Sequence, residues 1–202
     1  MDRFTVGWRR WLSPSNRVPL GISILPIPSK SKLPRYIDWK NCMSNNRQLY
    51  AKFVESGASA VITLYDQNAP KTCQAIWDAL SEPVQMPAIH AMFAGPEIMM
   101  GLPETAQNFD PEAIPAENQT CYPEAGEILW FYQGKNAMKG LPDELWEIGI
   151  FYAAGARING PLGWTPCNMF GKITEGLDVF AKACGNTRVE GIKTVEIGRV
   201  NP

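Results

Sequence analysis

Proton transfer is the chemistry this sequence is best equipped to perform. His90 is the one histidine in the chain, and an imidazole exchanges protons close to neutral pH without special tuning. It lies in an apolar run, Ile89-His90-Ala91, where a hydrogen-bonded interior histidine is the competing reading. Glu97 opens the segment after the Gly95-Pro96 turn. A hairpin there brings its carboxyl group near His90. In solvent it would be an ordinary turn carboxylate, whereas taken out of water it would become a base with a raised pKa. Glu147 sits between Trp146 and Ile148 in an apolar segment. Alternation puts it on the face opposite those two side chains, which is either solvent or a barrel mouth. His90, Glu97 and Glu147 are therefore the catalytic candidates.

A proton-exchanging pair needs a substrate held beside it. Arg157 lies in the glycine-studded segment 155–164, and its guanidinium matches a carboxylate bidentately. It is the expected anchor for a small carboxylated substrate, with a structural ion pair as the alternative. Trp164 shares that segment, and Tyr122 and Asn168 are further candidate polar donors for the binding site, with packing the favoured role for each. The five cysteines form no CxxC pair and have one histidine to work with, so no metal site is expected. Cys73 falls on a helix stripe, and Cys167 has no basic neighbour in sequence to make it a nucleophile. No glycine-rich phosphate loop follows a strand. The expectation is catalysis without a cofactor.

The elements that must position these groups are short. Residues 59–65 are rich in β-branched side chains and read as a strand. Pro70 then starts a helix over 71–80, with Ala69 or Asn68 as its cap and Cys73, Ile76, Trp77 and Leu80 on one stripe. Residues 87–94 and 97–100 form a hairpin around Gly95-Pro96. A long loop rich in proline and acidic residues occupies 101–126. Strands follow at 127–132, 146–152 and 168–173. Thr174 is the expected cap of a helix that runs through Leu177 and Phe180 to Cys184 and stops at Gly185 and Asn186. A last strand lies within 191–200. About seven short strands and two short helices favour a closed barrel or a sandwich over a βαβ sheet. Ahead of them, Asp38 is placed to cap a helix over 40–52 with Leu49, Phe53 and Val54 on its apolar face.

Composition divides the chain. Of its 202 residues 45% are hydrophobic and the net charge is -1. Residues 1–57 nevertheless carry ten Lys/Arg against three Asp/Glu, and residues 58–202 carry nine against seventeen. Pro14, Pro19, Pro26, Pro28 and Pro34 keep the first part from forming long helices. The domain reading is a basic, proline-rich extension over 1–57 and a barrel over 58–202. An acidic body argues against nucleic acid as a partner. The extension could instead join copies of the chain into a homo-oligomer. No apolar run reaches the roughly 18 residues of a membrane span, and Pro19 and Pro26 interrupt the one greasy stretch near the start. With an odd number of cysteines, the expected setting is cytoplasmic, with no membrane partner.

An ordered series of short motifs carries a family resemblance. It comprises Ala69-Pro70-Lys71-Thr72-Cys73, Ile89-His90-Ala91, Pro115-Ala116-Glu117-Asn118, Tyr122-Pro123 and Gly126-Glu127-Ile128-Leu129. It continues with Ala156-Arg157, Gly160-Pro161-Leu162-Gly163-Trp164, Asn168-Met169-Phe170 and Glu175-Gly176-Leu177. Together they resemble a bacterial domain-of-unknown-function family with a cyclophilin-like fold, over about residues 58–200. The resemblance implies a mainly β protein, a closed barrel of about eight mostly antiparallel strands with two short capping helices. Prolyl isomerase activity is the less favoured reading, because Ile89-His90-Ala91-Met92-Phe93 lacks the arginine those enzymes carry. The body also resembles the opine synthases that make cucumopine and mikimopine. That resemblance implies a cofactor-free Pictet–Spengler condensation of L-histidine with 2-oxoglutarate. A non-catalytic module that holds a small ligand in the same pocket is the alternative from another class.

Overall fold

The computed structural model describes residues 47–137, 140–160 and 163–200. All of them belong to the second of the two units into which the chain divides, Trp39–Pro202. Residues 1–46 of the basic extension, with the start of the helix expected over 40–52, lie outside the described residues.

Eleven strands and two α-helices follow one another as β1 (Gln48–Phe53), β2 (Ser59–Leu64), α1 (Pro70–Ala79), β3 (Val84–His90), β4 (Glu97–Gly101), β5 (Gln119–Thr120), β6 (Glu127–Gln133), β7 (Leu145–Phe151), β8 (Asn159–Gly160), β9 (Gly163–Trp164), β10 (Cys167–Glu175), α2 (Leu177–Glu190) and β11 (Lys193–Arg199). The main sheet runs β2-β1-β11-β3-β4-β7-β6-β10, and a further β2–β10 pairing closes it. Every pairing is antiparallel. The result is a closed eight-stranded barrel, with β5 added at the start of β10. Closure leaves the barrel without a free edge.

β1 corrects the sequence reading. Residues 48–53 form a strand where a helix was expected, and Leu49, Ala51 and Phe53 point inward with period two. Leu49 and Phe53 also satisfy a helical spacing, so the apolar pattern was ambiguous until β2 and β11 flanked it. The barrel thus begins ten residues before position 58. A second correction concerns α2. Thr174 is still in β10, where its hydroxyl pairs with that of Thr63 at 3.0 Å. The helix starts after Gly176, at φ 77°, and passes through Gly185 to Glu190. A Cβ on Gly176 would lie 2.5 Å from the Ser59 carbonyl oxygen, so glycine is required at that turn.

The helices occupy opposite ends of the barrel. α1 joins the end of β2 to β3, and α2 joins the end of β10 to β11. Since β2 and β10 are antiparallel neighbours, these connections fall at different ends. Each pushes a buried stripe, Cys73 and Ile76 from α1 and Phe180 and Cys184 from α2, into one common core. Trp130 and Trp146 from β6 and β7 stand edge to face inside the barrel, with Phe109 of the long loop packed on both. The interior is therefore filled. Among the described residues no helix is long and apolar enough to cross a membrane.

Candidate active site

The filled interior moves the site to the outside of the wall. The mouth of the barrel was the expected place for it. Instead, the outward faces of β4, β7 and β6 carry a second apolar layer, in which Leu129, Phe151, Ala156, Cys167 and Met169 are buried. The β3–β4 connection and the segment after β7 fold over this layer. Backbone bonds from Arg157 to Ala94, from Ile158 to Cys121 and from Tyr152 to Pro96 hold them there. Between cover and wall lies a cavity of about 450 Å³.

Strand register decides which groups look into it. Trp146, Ile148 and Ile150 point into the barrel, so Glu147 and Gly149 face outward. Gly101 and Phe131 flank Glu147, and Met99 and Leu129 flank Gly149. Glu97 stands one step further along, opposite Phe151. Gly149 leaves a notch that the Glu97 side chain fills. A Cβ on Gly149 would meet Glu97 Oε1 at 2.5 Å and Leu129 Cγ at 2.9 Å. Both carboxyl groups line the cavity. Leu129, Phe131, Met99, Phe93 and Ile158 supply much of its apolar wall.

Among the described lining residues no cationic side chain faces the two carboxyl groups. Glu97 is only 3% exposed, and burial, aided by the charge of Glu147, pushes its pKa up to about 9. Burial alone raises Glu147 to about 7. At neutral pH Glu97 keeps its proton, while Glu147 exchanges its proton near neutrality. Two carboxyl groups separated in this way supply an acid and a base at one place. Cys167, in the same wall, is pushed up to about 12 by burial and then by the two glutamates. Its thiol stays protonated and does not act as a nucleophile. The described residues hold no cluster of metal-ligating side chains.

Of the residues expected from sequence, Glu97 and Glu147 come together here. His90 ends β3 outside the lining, with Nδ1 at 2.8 Å from the Ala91 carbonyl and Nε2 at 2.8 Å from the Tyr152 hydroxyl. Arg157 is exposed. Its backbone N–H bonds to the carbonyl of the lining residue Ala94 and it precedes the lining residue Ile158, which puts it at the rim. Trp164 and Tyr122 are exposed and stack on each other with ring centroids 5.3 Å apart.

Asn168 is buried, and its amide works for the fold. It donates to Thr72 Oγ1 and to the Pro115 carbonyl, and its Oδ1 accepts from Glu117 N–H. Glu117 in turn accepts from the Lys71 and Thr72 N–H groups and from the Thr72 hydroxyl. It thereby does for α1 what neither Ala69 nor Asn68 does, since the helix has no side-chain cap of its own. Sequence reasoning missed Gly149 and Gln133. Their signal was faint: both lie in outward-facing register with Glu147, one on its own strand and one on β6.

A smaller hollow of about 230 Å³ shares Phe131, Tyr132 and Cys167 with the cavity and continues toward Pro115, Gln119 and Asn168.

Several solved structures are similar to this chain. The structure of McbB in complex with tryptophan is similar with a TM-score of 0.55 and 15% identity, over 76% of this chain and 45% of McbB. This chain therefore spans less than half the length of McbB. A Mimivirus cyclophilin is similar at 13% identity and a TM-score of 0.47, over 78% of this chain and 89% of that one. The hypothetical protein AF2241 from Archaeoglobus fulgidus is similar at 21% identity and a TM-score of 0.44, over 77% and 95%. No curated protein matches the sequence. A family model does, over residues 53–198, and the chain belongs to that family, DUF3830, described as a protein of unknown function.

Proposed function

We propose that this protein is a cofactor-independent enzyme that condenses an amine with a 2-oxo acid by general acid/base catalysis. Its sharpest form is an opine-type Pictet–Spengler reaction of L-histidine with 2-oxoglutarate. One observation carries the reading: two carboxyl groups with unequal, raised pKa values, Glu97 buried and Glu147 partly buried, share a single cavity. In the reaction the bound ammonium loses a proton to solvent, its nitrogen adds to the ketone carbon, and a proton passes from nitrogen to the new alkoxide oxygen to give the carbinolamine. Glu97 protonates the hydroxyl of the carbinolamine, and water leaves to give an iminium ion. A π pair of the imidazole ring then forms a bond to the iminium carbon, and the iminium π pair returns to nitrogen. Glu147 removes the ring proton and aromaticity is restored. Proton exchange with solvent resets the pair. The adjoining hollow supports the reading by leaving space for a second reactant. McbB, solved with tryptophan, lends support of a similar kind, since that amino acid also carries an amine near an electron-rich ring. Arg157, Trp164 and Tyr122 are proposed to meet the oxo acid at the rim.

The test is incubation with 2-oxoglutarate and either L-histidine or L-tryptophan, followed by mass spectrometry. The expected product has the summed mass less one water and survives borohydride, which reduces an uncyclised imine. Glu97→Gln and Glu147→Gln should each slow its formation roughly a hundredfold or more. No product above the uncatalysed background with either amino acid would reject condensation. A non-catalytic binding module is the second reading, favoured by the apolar cavity wall. Glu97→Gln separates the two, because a catalyst loses turnover and keeps its ligand.

A further inference from the structure

The polar groups of the cavity are few and largely of one sign. Among its described lining residues none is lysine, arginine or histidine, while Glu97 and Glu147 both face it. Among the described lining residues, an anion entering this space would meet two carboxyl groups and no cationic side chain. A cation would supply the countercharge that an ionised Glu147 lacks among the described residues, with the carbonyl oxygen of protonated Glu97 as a second acceptor. Gln133 adds a second requirement. Its side-chain Nε2 is buried with no hydrogen-bond partner among the described residues. It lies on β6 two residues beyond Phe131, the strand neighbour of Glu147, on the same outward face. A buried N–H without a partner among the described residues is placed to donate to an acceptor on a bound ligand. The rest of the space is bounded by Phe93, Met99, Leu129, Phe131 and Ile158, which offer only apolar contact.

We propose that the cavity is a site for a hydrophobic primary amine. Its ammonium group sits between Glu97 and Glu147, its apolar body lies against Met99, Leu129 and Phe131, and an oxygen of the ligand accepts from the Gln133 amide. This rests on the reading of Glu97 and Glu147 as the reacting pair and goes beyond it. It favours, within that reading, an amine whose ring is less polar than the imidazole of L-histidine, and it leaves carboxylate recognition outside the cavity.

Calorimetric titration of the full chain with three ligands that share an indole body tests this. Tryptamine carries the ammonium alone, L-tryptophanamide adds an oxygen acceptor, and indole-3-propionate puts a carboxylate in place of the ammonium. Tryptamine should bind roughly thirtyfold more tightly than indole-3-propionate, and L-tryptophanamide more tightly still. Glu147→Gln should weaken both amines roughly tenfold, and Gln133→Leu should remove only the advantage of the amide. Equal or tighter binding of indole-3-propionate overturns the proposal on the unmodified protein, whatever the variants do. So does a failure of tryptamine to bind at millimolar concentration. The condensation assay reads separately. Amine selectivity without product removes the enzymatic reading and leaves the amine site standing, whereas product formation without head-group selectivity does the reverse.

Discussion

Replacing Glu97 by glutamine isolates one ionisable group at nearly constant shape. In the unmodified protein its pKa is raised from 4.5 to about 9, first by burial and then by Glu147. The native state therefore keeps a proton that the unfolded chain releases. Stability falls with rising pH wherever the native state binds more protons. The Glu97 contribution is intact below 4.5, is lost progressively above it, and levels off only past about 9. Between about pH 5 and pH 8 this spans about three pH units, or about 4 kcal/mol at about 1.4 kcal/mol each, an upper bound because the cavity admits some water. Taking about half, and about 3 °C in Tm for each kcal/mol in a domain of this size, the effect is roughly 6 °C. Thermal melts of both proteins at constant ionic strength would measure it. Glu97→Gln should match or fall below the unmodified protein near pH 5 and exceed it near pH 8. Parallel curves across that range would mean that Glu97 titrates like a surface carboxylate, and the acid/base assignment would fall with it.

Two further outcomes follow from the geometry. Gly149→Ala places a methyl group 2.5 Å from Glu97 Oε1 and 2.9 Å from Leu129 Cγ; it should displace the carboxyl group and cut both amine binding and turnover while the barrel stays folded by circular dichroism. Unchanged amine affinity would mean that the notch does not set the position of Glu97. Glu117→Ala removes the acceptor of two α1 N–H groups and of the Thr72 hydroxyl; chemical denaturation should show a loss of about 2 kcal/mol, and a loss under about 0.5 kcal/mol would assign the cap to solvent.

The legible parts of the fold were those in which local pattern and tertiary environment agree. Strand β7 has wide apolar alternation, and α1 has a Pro start and a single stripe, so both were visible in sequence. β1 was not, because Leu49 and Phe53 satisfy helical and strand periods alike and only partners distant in sequence choose between them. The extent of α2 was hidden for a related reason. Gly185 usually ends a helix, yet Thr187, buried just beyond it, holds the next turn with a 2.6 Å bond from its hydroxyl to the Cys184 carbonyl. At the site, alternation exposed Glu147 and the hairpin exposed Glu97. That both faces of one strand could be dry, one by the core and one by a folded-over loop, has no local signature. Asn168 illustrates the opposite case: its polarity suggested a ligand, and the structure uses it to tie the long loop to α1.

The alternation of β7 has a consequence for how the chain avoids misfolding. Slipping that strand by one residue would drive Glu147 among the tryptophans and turn Trp146 and Ile148 out beneath the loop cover. The acidic side chain of Glu147 would thus penalise the wrong pairing, because the mispaired barrel must bury it without any opening to water. Substituting Glu147 with an apolar residue would remove that penalty, and such a variant could be expected to reach its native pairing with less fidelity even where its final stability improves.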